Sequence, residues 1–558
     1  MVKQEYGLCK SFKLFLGFLA FFLSCNERPR IDQKEIVETP EEINVKAEVL
    51  IQGTLKDILQ NDRSIGDSFK LKNAAVVQHL YNEHSFQPLW SEKGAFNSWG
   101  DSLFSLLDSA ATYGLFSQDY YQEKLAGFRK ELVLDTAREN KLDAAKWAYS
   151  DLLLTSAFIQ IVRDLVKGRL LPDSVLVKDS LLTPAFYATQ FQQFTKTPVA
   201  EFTSQLEPQH EGYKKLKLAL RTFLKEAEFK NFTFVKSADS TRLRTLVYQR
   251  IAEEDSLLSK TEAPDSAAIA AAVKTYQKKN GFKVNGQISA ALINKLNDTD
   301  RERFIRIAIT LDKFKMLQPL PEQYIWVNIP SYYLQVRDCD TVALTSRIVV
   351  GKPETKTPII TSAITDMITY PRWHIPLSII KKEILPGLKK DPGYTLRKGY
   401  TLFDKDGNEV DPYTINWSRY KDGIPYNVVQ GSGDENALGV MKFNFPNKHS
   451  VYLHDTNQRY LFSKSNRALS HGCVRVQAWQ ELTNFILRND SAFSEKAIPV
   501  DSVKQWLALK EKRVVPVRKR LPLFIRYFSC EAKNDQVVFY EDIYGEDRRI
   551  RESTFSDK

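Results

Sequence analysis

The sequence predicts an α+β protein: a helical amino-terminal half, a small three-helix module, and a mostly β carboxyl-terminal region broken by one long insertion. Three observations carry this. Between 55 and about 230, apolar residues recur at three- and four-residue spacings, the period of an amphipathic helix. After 300 they alternate with polar residues, the period of a half-buried strand. Residues 372–424 then interrupt the alternation with proline, glycine and charged clusters. At 558 residues the chain exceeds what one core organises, so several domains are expected.

The first element is not part of the fold. Lys3, Lys10 and Lys13 precede the apolar run "LFLGFLAFFL" at 14–23, and "LSC" closes it at Cys25. Ten apolar residues are too few to span a bilayer but match the core of a secretory signal. A cysteine at the cleavage point resembles a bacterial lipobox, which implies cleavage before Cys25 and acylation of its thiol. A plain signal peptide or an uncleaved anchor is the alternative. Either way the remainder is expected outside the cytoplasm, in the cell envelope on the periplasmic side. The expected division is a signal at 1–24, then the lipidated cysteine and a polar, proline-bearing linker at 25–50. With Cys9 removed and Cys25 acylated, Cys339, Cys473 and Cys530 remain. That number is odd, so at least one is a free thiol. Cys339 and Cys530 could pair or both be buried.

The helical scaffold is expected over 51–235. Its strongest stretches are 76–90, 98–115, 145–169 and 212–228, with Gly114 and Gly168 where helices should end. These specify a framework rather than chemistry. Residues 236–300 read as a module of three helices around the turn "NGFKVNG". Its Tyr276-Gln277, Gly281-Phe282, Gly286 and Leu296 resemble the peptidoglycan-binding-domain-1 family, and a helical hairpin that binds nothing fits equally. Strands follow at 324–338, 341–352, 425–430, 438–444 and 450–455, in a catalytic domain expected over 301–495. The insertion at about 372–424 reads as a lid or cap. A β-hairpin, 521–545, is expected in an extension at 496–558, turning around Asn534–Asp535.

Composition narrows the partners. The chain is 43% hydrophobic and 26% charged with a net charge of +11, which suits an acidic polymer without naming one. The cations are scattered except for "KEKRVVPVRKR" at 510–520, and no recognition motif accompanies them, so no nucleic acid partner is expected.

The chemistry concentrates in "LSHGCVRV" at 469–476. If "CVRV" is a strand, Val474 and Val476 face one side while Cys473 and Arg475 face the other. In "SVYLHDT" at 450–456, Val451 and Leu453 point in while Tyr452 and His454 point out. Nineteen residues separate His454 from Cys473, enough for a loop and a return strand to bring them together. A thiol needs a neighbouring base to become a thiolate, and an imidazole is the usual one. Gly472 has no Cβ, so backbone amides there can approach a substrate oxygen as an oxyanion hole requires. A zinc site of His454, His471 and Cys473 would need a fourth ligand, and no C-x-x-C pair supports it, so no metal and no cofactor are expected. A buried structural cysteine fits poorly with polar Ser470, His471 and Arg475 around it.

"HDT" followed by "SHGCVRV" resembles the signature of the L,D-transpeptidases, the family with a YkuD-type catalytic domain. "VNIPSYYL", "VVGKPETKTP", "YPRWHIPLSI", "NALGVMKFNFPN" and "VVFYEDIYG" resemble its large YcbB-type subgroup, and "SFQPLW" and "LLLTSAF" extend the likeness into the helical half. The resemblance implies a mostly β YkuD-type domain, a capping insertion, a scaffold and a peptidoglycan-binding-like module. It implies Cys473 as nucleophile and His454 as general base, with His471 as the alternative base or a residue that shapes the loop. Gly472 and Cys473 amides would form the oxyanion hole, with Ser470, Tyr452 and His471 on the oxyanion or substrate side. Arg475 would contact a substrate carboxylate or brace the strand; Trp373 and Tyr370 would line the cleft or simply pack. The implied partners are peptidoglycan stem peptides, a tetrapeptide donor and an amine acceptor, with the membrane reached through the lipid on Cys25. Carbapenems would acylate the same cysteine.

Overall fold

A computed structural model describes residues 31–558 except 32, 62–69, 135–137, 171–181, 237–238, 259–263 and 557. The signal segment, Cys25 and the first part of the linker lie outside the described residues. The chain forms two compact units, one from residues up to 101 with 123–157, the other from 102–122 with 158–558.

The first unit is helical, with Pro40–Asn61 and Ala74–Glu83 among its elements. Its polar centre is Asp151. The carboxylate accepts hydrogen bonds from the Tyr81 hydroxyl at 2.6 Å and from the backbone N–H groups of Leu89 at 2.7 Å and Trp90 at 2.9 Å. One buried side chain thereby satisfies the donors of an irregular segment that no ladder could satisfy.

In the second unit, Ser240–Glu254, Ser266–Lys279 and Ala290–Leu296 form the expected three helices. Each starts on a side-chain cap, Asp239, Asp265 and Ser289 respectively. Tyr276 and Leu296 lie in their shared core. Gln277 staples the turn: its carbonyl oxygen accepts from the Asn285 and Gly286 N–H groups, and its amide donates to the Gln287 carbonyl. The residues of that motif are therefore the ones that fold it.

The β region is one twisted sheet. Across it run Ala468–Ser470, Thr341–Gly351, Val474–Val476, Leu453–His454, Met441–Asn444, Ile360–Thr369, Arg513–Arg526, Gln323–Asn328 and Tyr333–Asp338. Tyr333–Asp338 pairs back onto Thr341–Gly351, which closes the sheet and leaves few exposed edges. Its core includes Val336, Phe443, Leu453, Val474, Val476 and Leu523. Thr369 ends one strand, and the chain leaves into a separate small sheet of Trp373–His374, Asn427–Gln430, Tyr400–Phe403 and Glu409–Val410. That insertion has its own core, with Ile380, Ile384, Leu388 and Trp417.

One expectation needs correcting. The hairpin expected over 521–545 is shorter, Cys530–Lys533 with Gln536–Phe539, although it turns at Asn534 and Asp535 as expected. The preceding segment belongs instead to Arg513–Arg526, which pairs with both Ile360–Thr369 and Gln323–Asn328 inside the main sheet. A catalytic domain ending at 495 would therefore lack a central strand. Alternation hid this strand because Pro516, Pro522 and a run of cations interrupt it. Val515 and Val517 nevertheless point inward, so the basic cluster is largely the solvated face of a strand.

Candidate active site

Three short strands assemble the site by register. Leu453 pairs with Val474 and His454 with Arg475 in parallel, while Phe443 pairs with Leu453 and Lys442 with His454 in antiparallel. Side chains alternate along each strand, so Phe443, Leu453 and Val474 enter the core. Lys442, Tyr452, His454, Cys473 and Arg475 consequently share the opposite face. The expected convergence of His454 with Cys473 is therefore a property of the sheet.

The loop that presents Cys473 is braced from within. Gly472 has φ +119°, a conformation L-residues rarely adopt. Its carbonyl accepts from the Thr357 hydroxyl at 2.9 Å, and Thr357 in turn receives the Gly351 N–H at 2.9 Å. The Tyr544 hydroxyl donates to the Gly351 carbonyl at 2.7 Å. A Cβ on Gly351 would stand 2.1 Å from the Thr355 carbonyl oxygen and 3.0 Å from the Gly472 Cα, so only glycine lets the loop approach. Ser470 closes the turn, accepting from the Gly472 N–H at 3.1 Å and donating to the Cys473 carbonyl at 2.6 Å. The Gly472 N–H is thus engaged rather than free for an oxyanion. The Cys473 N–H makes no hydrogen bond among the described residues and remains available as a donor.

His454 is 4% exposed. Its Nδ1 meets the backbone carbonyl of Asp455, which can only accept, so the proton sits on Nδ1. Burial, and then the positive Arg475, push the ring down to about 3, which keeps it neutral with Nε2 as the basic atom. The Asp455 carboxylate turns away, accepting from the Val440 N–H at 3.0 Å and from Arg459 at 2.9 Å. Asp455 therefore orients His454 through its backbone, not its side chain.

Cys473 is half-buried, and burial pushes its thiol upward against the opposing pull of Tyr452, Lys442 and Arg475. Its sulfur lies 3.9 Å from the Ser450 carbonyl. No hydrogen bond joins the thiol to His454 among the described residues. The resting pair is a neutral thiol beside a neutral imidazole.

The remaining expected residues divide. His471 reaches the cap, where its Nε2 pairs with Glu383. Arg475 donates to the Gln458 amide oxygen at 2.8 Å, while its buried Nε has no partner among the described residues. Trp373 likewise carries a buried indole N–H with no hydrogen-bond partner among the described residues. The Tyr370 hydroxyl goes to Asp434 at 3.2 Å, not toward Cys473. Cys339 is exposed and Cys530 buried, both as free thiols, so they do not pair. Sequence reasoning missed Lys442, Thr357 and Tyr544. For Lys442 a signal existed: in "VMKFNF" it alternates with Met441 and Phe443, as a residue opposite a core face should.

Comparison with known proteins places this β region and the helical half within known domain families. Residues 322–501 match the family model of the L,D-transpeptidase catalytic domain (YkuD), and residues 75–220 match that of the Scaffold domain. The chain is also 40% identical over 227 residues to a Haemophilus influenzae protein named "Putative L,D-transpeptidase". That match covers 40% of this chain and 45% of the relative, so the chain spans about half the length of the curated protein it matches.

Proposed function

We propose that this protein, in which residues 322–501 match the L,D-transpeptidase catalytic domain and residues 75–220 the Scaffold domain, cross-links peptidoglycan stem peptides through a Cys473 thioester. The observation that carries the proposal is the shared sheet face, which places a neutral imidazole and a thiol side by side.

In this mechanism, His454 Nε2 takes the thiol proton as the sulfur attacks the carbonyl preceding the terminal D-alanine of a tetrapeptide donor. The sulfur–carbon bond forms and the oxyanion is met by the Cys473 N–H. The imidazolium returns its proton to the departing amine, D-alanine leaves, and a thioester remains. An amine of a second stem, the diaminopimelate side chain, then displaces the sulfur to form a 3→3 cross-link. The capping insertion limits water, which as the acceptor would give hydrolysis. Carbapenems acylate the same sulfur. The leading sequence places this chemistry on the periplasmic side of the envelope, held to a membrane by lipid on Cys25. The net positive charge favours an anionic wall polymer.

Incubation with disaccharide-tetrapeptides and mass spectrometry tests the reaction. Dimers that have lost D-alanine are expected, with no dimers and no covalent adduct for Cys473→Ala. Monomeric tripeptide alone would make the protein an L,D-carboxypeptidase. Transfer of the stem to a protein lysine would make it an attachment enzyme, and no product at all would leave a noncatalytic wall-binding lipoprotein. Loss of lipid labelling in Cys25→Ala checks the anchor.

A further inference from the structure

The polar face of the sheet carries a cation to which acyl transfer, as described, assigns no task. Lys442 stands directly opposite His454 across the antiparallel pair, so both side chains leave the same face. Its ammonium lies 4.1 Å from the centroid of the Tyr452 ring, a cation–π contact. Among the described residues Lys442 has no ion pair. The nearest acid to act on it, Asp366, is already engaged by the Asn444 amide at 2.6 Å and the Thr365 hydroxyl at 2.9 Å. A half-buried ammonium without a carboxylate is costly unless an anion joins it at some stage.

The other groups around the sulfur do not supply that charge as well. His454 is neutral by burial. Arg475 also favours the charged sulfur, but its pull is smaller than that of Lys442, and His471 pairs with Glu383 on the cap. Tyr452 is held far on the protonated side by burial, so its hydroxyl is a donor. Lys442 and Tyr452 both favour the charged form of Cys473, and Cys473 reciprocally favours the charged form of Lys442.

We propose that Lys442 is the positioning residue that stabilises the Cys473 thiolate as it forms, through its own field and by polarising the hydroxyl of Tyr452 on the same face. Proton removal and anion stabilisation are thereby separated. As His454 Nε2 accepts the proton the electron pair stays on sulfur, and Lys442 with Tyr452 stabilises it there while the sulfur closes on the carbonyl. An ammonium against the ring face draws electron density from the phenol and strengthens its O–H as a donor. The inference rests on Cys473 being the nucleophile but not on what it attacks.

The test uses iodoacetamide on the full chain, with labelling of each cysteine followed by peptide mass spectrometry from pH 5 to 10. The thiolate displaces iodide, forming a carbon–sulfur bond, so the rate reads the thiolate fraction. In Lys442→Met, and equally in Lys442→Gln, Cys473 should react about tenfold more slowly at pH 7, with the profile displaced upward and the high-pH plateau kept. Lys442→Arg should stay within about twofold of the parent. Exposed Cys339 should react alike in all four proteins. An unmoved Cys473 profile in Lys442→Gln, or a loss that persists undiminished at pH values where Cys473 is ionised in both proteins, overturns the proposal. So does a Lys442→Arg protein as slow as Lys442→Gln. A displaced profile in a protein that makes no dimers from disaccharide-tetrapeptides would retain this role and sink the cross-linking function instead.

Discussion

Asp151 in the helical unit and the His454–Cys473 pair in the β unit are both buried polar centres, yet they differ in what they leave unsatisfied. The Asp151 carboxylate takes donors from Tyr81, Leu89 and Trp90, and a weaker one from Ser91 at 3.4 Å. Its capacity is spent on the fold. At the β centre, among the described residues, the Cys473 N–H has no partner and the Arg475 Nε and Trp373 indole N–H are buried without one. Burial of a titratable group therefore does not mark a reactive site by itself. Burial combined with spare hydrogen-bonding capacity around a nucleophile does.

The largest effect should separate the two histidines near Cys473. His454→Ala should lower thioester formation about 10²- to 10³-fold, as loss of a general base does. His471→Ala should lower it only severalfold, because that ring pairs with Glu383 on the cap. Stopped-flow acylation by a carbapenem reads both, and the reverse order would make His471 the base. The next effect belongs to the satisfied centre. Asp151→Ala should cost about 3 kcal/mol of stability by orphaning the Tyr81, Leu89 and Trp90 donors. Denaturant unfolding would show this, with turnover per folded molecule unchanged.

The smallest effect is a difference in sign. The His454 ring, held down at about 3 in the fold against about 6.5 when unfolded, contributes stability present in full above pH 6.5. That contribution is lost as pH falls toward 3, because the unfolded chain binds the extra proton. Burial raises Asp151 to about 6, above its unfolded value, so its contribution is present at low pH and lost as pH rises through 6. Between pH 4 and 6 the stability advantage of the parent over His454→Gln should grow with pH, while that over Asp151→Asn should shrink, each by about 2 kcal/mol. Parallel slopes in thermal melts would show that the two centres do not differ in this way.

Much of the site was legible because strand alternation is local. "VYLHDT" and "CVRV" each place their polar residues on one side without reference to the rest of the chain. Pairing Leu453 with Val474 then makes His454 and Cys473 neighbours on one face. Less legible was every feature that depends on a distant segment. The Ser470 hydroxyl occupies the Gly472 N–H, which removes one expected oxyanion donor. Tyr370 sits only three residues before Trp373, yet it bonds to Asp434. Arg513–Arg526 joins the sheet although prolines and cations obscure its period. Propensity and periodicity describe a residue and its neighbours, while these outcomes were set by which strand lies alongside.

By itself, the sequence determined the helical and β regions, the long insertion and the candidate nucleophile, since each is written in residue type and local period. Only the tertiary structure decided the electrostatic state of that nucleophile. Lys442, Tyr452, His454 and Arg475 come from three strands, and their fields act on Cys473 only once register brings them to one face. Their depth in the sheet removes the water that would otherwise screen them.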